Sequence, residues 1–228
     1  MQALINQHSA LRFIPIDISR FALEESAKSL VEEFVGLEIL AVAGDYTDGL
    51  DYLKQSAEDP RLILWLGSNI GNFERQDAAA FFHRVHDAMQ PHDRFLVGID
   101  LRKDRETLEA AYDDSRGVTA RFNKNILKRV NAQLGGRFDL DRFRHLARYN
   151  DDLGRVEMHL VAETAHTVAI DALELQIEFA EGETIHTENS YKYSQQEIEE
   201  VTARSSFYLE RQWFDAEHRF SLNLFCPR

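Results

Sequence analysis

Two stretches far apart in the chain hold the side chains best suited to chemistry. Residues 62–73 (LILWLGSNIGNF) run from an apolar segment into Gly67-Ser68 and then Asn69-Ile70-Gly71-Asn72. Gly67 lets a ligand approach the backbone, and the Asn72 amide can donate and accept hydrogen bonds at once. The same residues would also make an ordinary tight turn, with Asn72 as N-cap for a helix from Phe73 onward. Arg75, not Glu or Gln, sits at the third helical position, so no capping box marks that start. Residues 182–193 (GETIHTENSYKY) crowd Glu183, His186, Glu188, Ser190, Tyr191 and Lys192 together. If this stretch is extended, Glu188 and Ser190 share one face while Thr187, Asn189 and Tyr191 share the other. A carboxylate and a hydroxyl pointing together can recognise a ring N–H pair; a surface strand of mixed polar residues would look the same.

Other candidates are plainer. Asp17 and Asp45 each close an apolar run. At the C-terminal ends of parallel strands, such carboxylates accept hydrogen bonds from ribose hydroxyls or meet an adenine amino group. Each could equally cap the helix that follows. His83 and His86, with His92 nearby, have helical spacing but no carboxylate–histidine motif beside them. They alternate with the apolar face of Phe82 and Val85 and read as a solvated helix side, so no metal is expected.

These residues need a scaffold, and the hydropathy pattern supplies one. Residues 11–18, 38–43, 62–66 and 94–99 are short, nearly continuous apolar runs, each read as a strand. Helical patterns lie between them: Leu23, Ala27, Leu30, Val31 and Phe34 form one stripe behind a Ser19 cap, and Ala78, Phe81, Phe82, Val85 and Ala88 form another. Alternation of buried strands and helices predicts a doubly wound parallel sheet covered on both faces. After Lys103 the rhythm changes. Residues 107–134 read as largely helical up to Gly135-Gly136; residues 155–163, 167–170 and 173–179 read as antiparallel strands. A helix at 195–206 and a hairpin of 208–214 with 219–225 then return to the core. The expected division is a core of residues 1–102 and 193–228 with an inserted α+β lobe at 103–192.

At 228 residues and 44% hydrophobic content, the chain can bury a real core. Its net charge of -13 disfavours DNA or an acidic membrane surface as a partner. The single cysteine, Cys226, excludes an internal disulfide and reads as structural; with no signal-like or long apolar segment, a cytoplasmic monomer is expected.

The motifs LGSNIGNF, DLRKDRETLEAAYDDSRGVTARFNKNIL at 100–127, RVEMHL at 155–160 and GETIHTENSYKY together closely resemble the histidine-specific Nα-methyltransferases of ergothioneine biosynthesis. Four separated motifs in matching order make the resemblance specific, and it extends from about residue 11 to the C-terminus. It implies a class I methyltransferase (Rossmann-like) α/β core with an inserted substrate-binding lobe. It also implies S-adenosylmethionine (SAM) as methyl donor, and trimethylation of the L-histidine α-amine to hercynine. Asp17 would hold the SAM ribose, with Asp45 and Tyr46 at the adenine. Gly67 and Asn72 would line the meeting place of amine and methyl. Tyr112 would bind the substrate's carboxylate end, and Glu188 and Ser190, with Asn189 between them, would grip the imidazole beside Met158. The family also carries a first strand, a glycine-rich loop, a lysine and a tyrosine ahead of the segment matched here, whereas the first glycine in this chain is Gly36. Residues 1–8 read as the tail of the first helix. The chain is therefore expected to be an N-terminally truncated member in which strands 11–18 and 62–66 either leave a gap or close up and distort the site, and which aggregates or binds SAM at best weakly. The rival expectations are methylation of another amino acid, or a non-catalytic remnant that binds a small amino acid or a partner chain.

Overall fold

The computed structural model describes residues 1–7, 11–55 and 59–228. The helix expected at 1–8 is described as α1 (Gln2–Ile5); His8 lies outside the described residues. The strand expected at 11–18 is split into β1 (Leu11–Phe13) and β2 (Ile16–Asp17). Pro15 lies at the break; it has no N–H to give, but its carbonyl accepts from Val42 N at 2.9 Å. Helix α2 (Arg20–Glu33) starts on Ser19, whose hydroxyl accepts from Ala22 N at 3.2 Å. Strands β3 (Leu37–Ile39) and β4 (Val42–Ala43) pair in parallel with β1 and β2. The stripe predicted for α2 is only partly realised: Leu23 is buried but Val31 is exposed. The small sheet beneath it offers too little surface to cover a whole helix face.

Helix α3 (Tyr46–Gln55), strand β5 (Leu62–Trp65), helix α4 (Arg75–Ala88) and strand β6 (Arg94–Asp100) continue the alternation, with β5 and β6 parallel. Helix α4 buries Ala78, Phe81, Phe82, Val85 and Ala88, as their spacing predicts. The helical stretch expected at 107–134 is two helices, α5 (Arg105–Tyr112) and α6 (Val118–Leu134). Asp114 makes the break: its carboxylate accepts from Val118 N at 3.0 Å and Thr119 N at 2.7 Å, which starts the second helix and holds the carboxyl well below its usual range. Gly135, at φ +63°, ends α6.

A strand with no counterpart in the sequence reading follows, β7 (Phe143–Asn150). It pairs antiparallel with β8 (Arg155–Ala162). A hairpin of β9 (His166–Ile170) and β10 (Leu175–Phe179) and then β11 (Thr184–Tyr191) complete the lobe. The lobe's main sheet has the order β11–β8–β7. Helix α7 (Gln195–Arg204) begins with a full capping box between Ser194 and Glu197. Strands β12 (Phe207–Phe214) and β13 (Phe220–Pro227) form the predicted hairpin, and β13 runs antiparallel to β6. The resulting sheet is β12–β13–β6–β5. After the lobe the chain thus returns to the sheet of β5 and β6, adding an antiparallel hairpin to it. Among the described residues β1–β4 share no ladder with β5. No helix among the described residues is long and apolar enough to cross a membrane.

Candidate active site

The site forms where the turn after β5 meets the end of β11. Gly67 and Ser68 are both left-handed, at φ +75° and +59°, so the chain reverses sharply as it leaves the strand. Ser68 Oγ accepts from Asp100 N at 3.0 Å, tying the turn to the end of β6. Residues Asn69–Asn72 make one tight helical turn that buries Ile70 and Gly71. A Cβ on Gly71 would sit 2.7 Å from the Tyr191 carbonyl and 3.4 Å from Ser190 Oγ. Only glycine allows the turn to press this closely on β11. The cap expected from Asn72 is not made: α4 begins at Arg75 with Glu74 at its N-cap position. Asn72 is exposed, and its amide makes no hydrogen bond among the described residues.

On β11, Glu188 pairs with Met158 and Ser190 with Val156, so the two side chains share a face as predicted. The ladder slips between His186 and Glu188, where Thr187 turns its hydroxyl onto the Met158 carbonyl at 2.9 Å. Burial pushes the Glu188 carboxyl above its usual range, with the Lys192 charge pulling the other way, and the carboxylate has no hydrogen bond among the described residues. Ser190 is buried, and its hydroxyl lies 2.8 Å from Tyr112 Oη. Tyr112 is thus brought into direct contact with Ser190. Asn189 does not join Glu188 and Ser190. It accepts from His186 Nε2 at 2.8 Å and donates to Glu74 Oε1 at 3.2 Å on the opposite face.

His145 is absent from the residues singled out above, and Lys192 stands among them without a role. His145 is buried, takes a hydrogen bond from Asn123 Nδ2 at 3.0 Å on Nδ1, and so donates from Nε2 to the Tyr112 carbonyl at 2.8 Å. It fixes the end of α5 that carries Tyr112. Lys192 is fully buried, and its ammonium lies 2.8 Å from Asp100 Oδ2. Continuing the alternation of β11 from Glu188 through Ser190 puts it on their face. Asp100 also holds Lys103 Nζ at 2.6 Å.

A second cluster sits at the ends of β2 and β4. Asp17 is exposed, and Oδ1 accepts from Ser19 N at 2.7 Å. Asp45 Oδ1 accepts from Thr47 N at 2.7 Å and Asp48 N at 3.2 Å, and these backbone bonds hold its carboxyl below the usual range. Capping is therefore observed for Asp45, with its second oxygen unused among the described hydrogen bonds. Beside it the Tyr46 ring packs 5.5 Å from Phe81 and 6.2 Å from both Trp65 and Phe73, centroid to centroid.

Residues 1–227 match the family described as histidine-specific methyltransferase, SAM-dependent. The chain belongs to that family. Histidine N-alpha-methyltransferase of Mycolicibacterium smegmatis is 40% identical over 213 residues, covering 93% of this chain and 66% of the relative. The protein of the same name from Mycobacterium tuberculosis is 38% identical over 224 residues, covering 98% and 69%. Ergothioneine biosynthesis protein 1 of Neurospora crassa is 30% identical over 217 residues, covering 93% of this chain and 24% of the relative. The chain thus spans about two thirds of the length of these mycobacterial relatives. The family match starts ahead of residue 11, where the motif resemblance begins. Within this family member, the candidate residues fall into three groups. Asp17, Asp45 and Tyr46 lie beside the small parallel sheet, while Tyr112, Met158, Glu188 and Ser190 lie in the lobe. Gly67 and Asn72 occupy the turn pressed against the lobe.

Proposed function

We propose that the protein transfers methyl groups from SAM to the α-amine of L-histidine, three times, giving hercynine for ergothioneine biosynthesis. The observation that carries this reading is the half-buried, unpartnered Glu188 carboxylate beside the Ser190 hydroxyl, on a strand held against the turn 67–72. An acceptor and a hydroxyl side by side suit the two nitrogens of an imidazole, and a pocket built on polar contacts rejects amino acids that leave its groups unpaired.

The residues present fit SAM. Asp17 and Asp45 each keep a carboxylate oxygen free of the described hydrogen bonds, suited to ribose hydroxyls and the adenine side respectively. Tyr46 is exposed enough to offer a ring face, and Gly67 has open space where a side chain would stand. SAM supplies an already activated methyl group, so the chain's task is positioning: it must hold a neutral amine in line and keep water out. Asn72, with a free amide at the turn, is assigned to the amine. In this reading residues 1–102 and 193–228 form the SAM core and residues 103–192 the substrate lobe. Separate buried clusters favour that division: one joins Leu50 through Leu101 to Tyr193 through Phe225, with Tyr191 from the end of the lobe packed into it, and another joins Leu127 to Phe179. The site of action is assigned to the cytoplasm.

The test is methyl transfer from SAM to a panel of amino acids, followed by mass spectrometry. Trimethylated L-histidine, with the label on the α-nitrogen, is the expected product. Methylation of a different amino acid in its place, or binding of only one of the two ligands with no transfer, would contradict the proposal.

A further inference from the structure

The reaction as described gives Lys192 no role, although it is fully buried among the substrate-side groups. Its ammonium has three N–H bonds and meets three acceptors: Asp100 Oδ2 at 2.8 Å, Tyr112 Oη at 2.7 Å and Ser190 Oγ at 2.9 Å. None is left over for a ligand. Burying a cation is costly, and here three bonds and a carboxylate offset that cost.

The hydrogen count at this cluster is constrained. Tyr112 Oη and Ser190 Oγ lie 2.8 Å apart, so one of their two hydrogens occupies the line between them. An ammonium only donates, so neither hydroxyl can turn its hydrogen towards Lys192. One hydroxyl hydrogen must therefore point away from the cluster. A phenol is a stronger acid than an alcohol, so Tyr112 is the better donor and Ser190 the better acceptor. Ser190 Oγ then accepts twice, from Lys192 and from Tyr112, and its own hydrogen is directed outward. Glu188, two residues earlier on the same face, can only accept while ionised. A neutral imidazole has one N–H and one bare nitrogen, which this donor and this acceptor match.

We infer that Lys192 is a positioning residue that fixes Ser190 as a hydrogen-bond donor, and so sets the pocket's preference for one tautomer of a neutral imidazole. The inference rests on the histidine reading of the pocket. Without the ammonium, Ser190 is free to spend its hydrogen on Tyr112 and present lone pairs to the bare ring nitrogen.

The experiment is a double-mutant cycle of Lys192→Met and Ser190→Ala, with L-histidine and SAM titrated separately by calorimetry. Each single variant is expected to weaken L-histidine binding roughly 10- to 100-fold, the scale of one hydrogen bond in a closed pocket. The double variant should be no weaker than the worse single variant, and SAM affinity should hold. A double loss equal to the product of the single losses, or an equal loss for SAM, would show a merely structural lysine and overturn the inference. Should Lys192→Met fail to fold, Lys192→Leu, which also removes the donor, carries the same cycle with the same outcomes. Failure of the unsubstituted protein to bind L-histidine would defeat the histidine reading itself. Binding by Lys192→Met as tight as by the unsubstituted protein would defeat this inference alone.

Discussion

At the residue scale, the pocket and the cofactor side make separable predictions. Glu188→Ala should weaken L-histidine binding by about 2–4 kcal/mol, because an imidazole N–H loses a charged partner in a water-poor pocket. SAM affinity should stay unchanged; equal losses for both would assign Glu188 to the fold instead. Asp17→Ala should act the other way, cutting SAM affinity by about 1.5–3 kcal/mol. Its thermal stability without ligand should fall by no more than the loss of one local bond to Ser19 N, and a large stability loss with intact SAM affinity would make Asp17 a capping residue only. Glu188 and Ser190 were legible in the sequence because strand alternation alone puts them on one face. His145 was not, because an inward histidine runs against the usual burial order and gains meaning only from a partner such as Asn123; Lys192 was visible in its cluster, but its role emerges only from Asp100, Tyr112 and Ser190.

At the element scale, the turn 67–72 and strand β11 act as a unit. In Gly71→Ala the new Cβ would fall 2.7 Å from the Tyr191 carbonyl, so the turn must lift off β11. Overpacking of this kind costs about 1–3 kcal/mol, and L-histidine affinity should drop with stability because Asn72 and Ser190 are driven apart. Gly67→Ala meets only the Asn69 amide at 3.9 Å but is strained by its φ of +75°. It should cost about 1–2 kcal/mol of stability, read as a lower melting temperature. The outer face of the lobe sheet gives a pH prediction. His159 and His186 stack 4.8 Å apart, with Glu157 beside them and Arg148 nearby. Burial, and then the His186 charge, push His159 below its ordinary range, so the unfolded chain takes up the proton more readily. That contribution to stability is present above the ordinary histidine range and is lost as pH falls through the lowered value. His159→Gln should therefore flatten the fall in melting temperature on the acid side of about pH 6.5; an unchanged slope would remove His159 from the account. Most elements were legible because their apolar runs are nearly unbroken. Strand β7 was not: its inward residues are Phe143, His145, Ala147 and Tyr149, and the histidine and alanine hide a period of two.

At the scale of the whole molecule, the family resemblance pointed to a missing strand between 11–18 and 62–66, and β1–β4 share no ladder with β5 among the described residues. The break leaves β5 as an edge strand, with Leu62, Leu64 and Leu66 each more than two fifths exposed, at 41%, 43% and 44%. Unpaired apolar edges attract other chains. The chain on its own should grow in hydrodynamic size with concentration in light scattering, and Leu64→Lys should suppress that growth; a concentration-independent monomer would show the edge to be innocuous. The break lies beside Asp17 and Asp45, proposed for SAM, while the groups proposed for the substrate, Tyr112, Met158, Glu188 and Ser190, lie on helix α5 and strands β8 and β11. The central claim is that this lobe selects an imidazole, and calorimetric titration of L-histidine against L-tryptophan and L-glutamine, before and after Glu188→Ala, tests it most directly. The account predicts that L-histidine binds best and that the substitution erases its advantage. Equal affinity for all three amino acids in the unsubstituted protein, or a preference for L-histidine that survives the loss of Glu188, would contradict it.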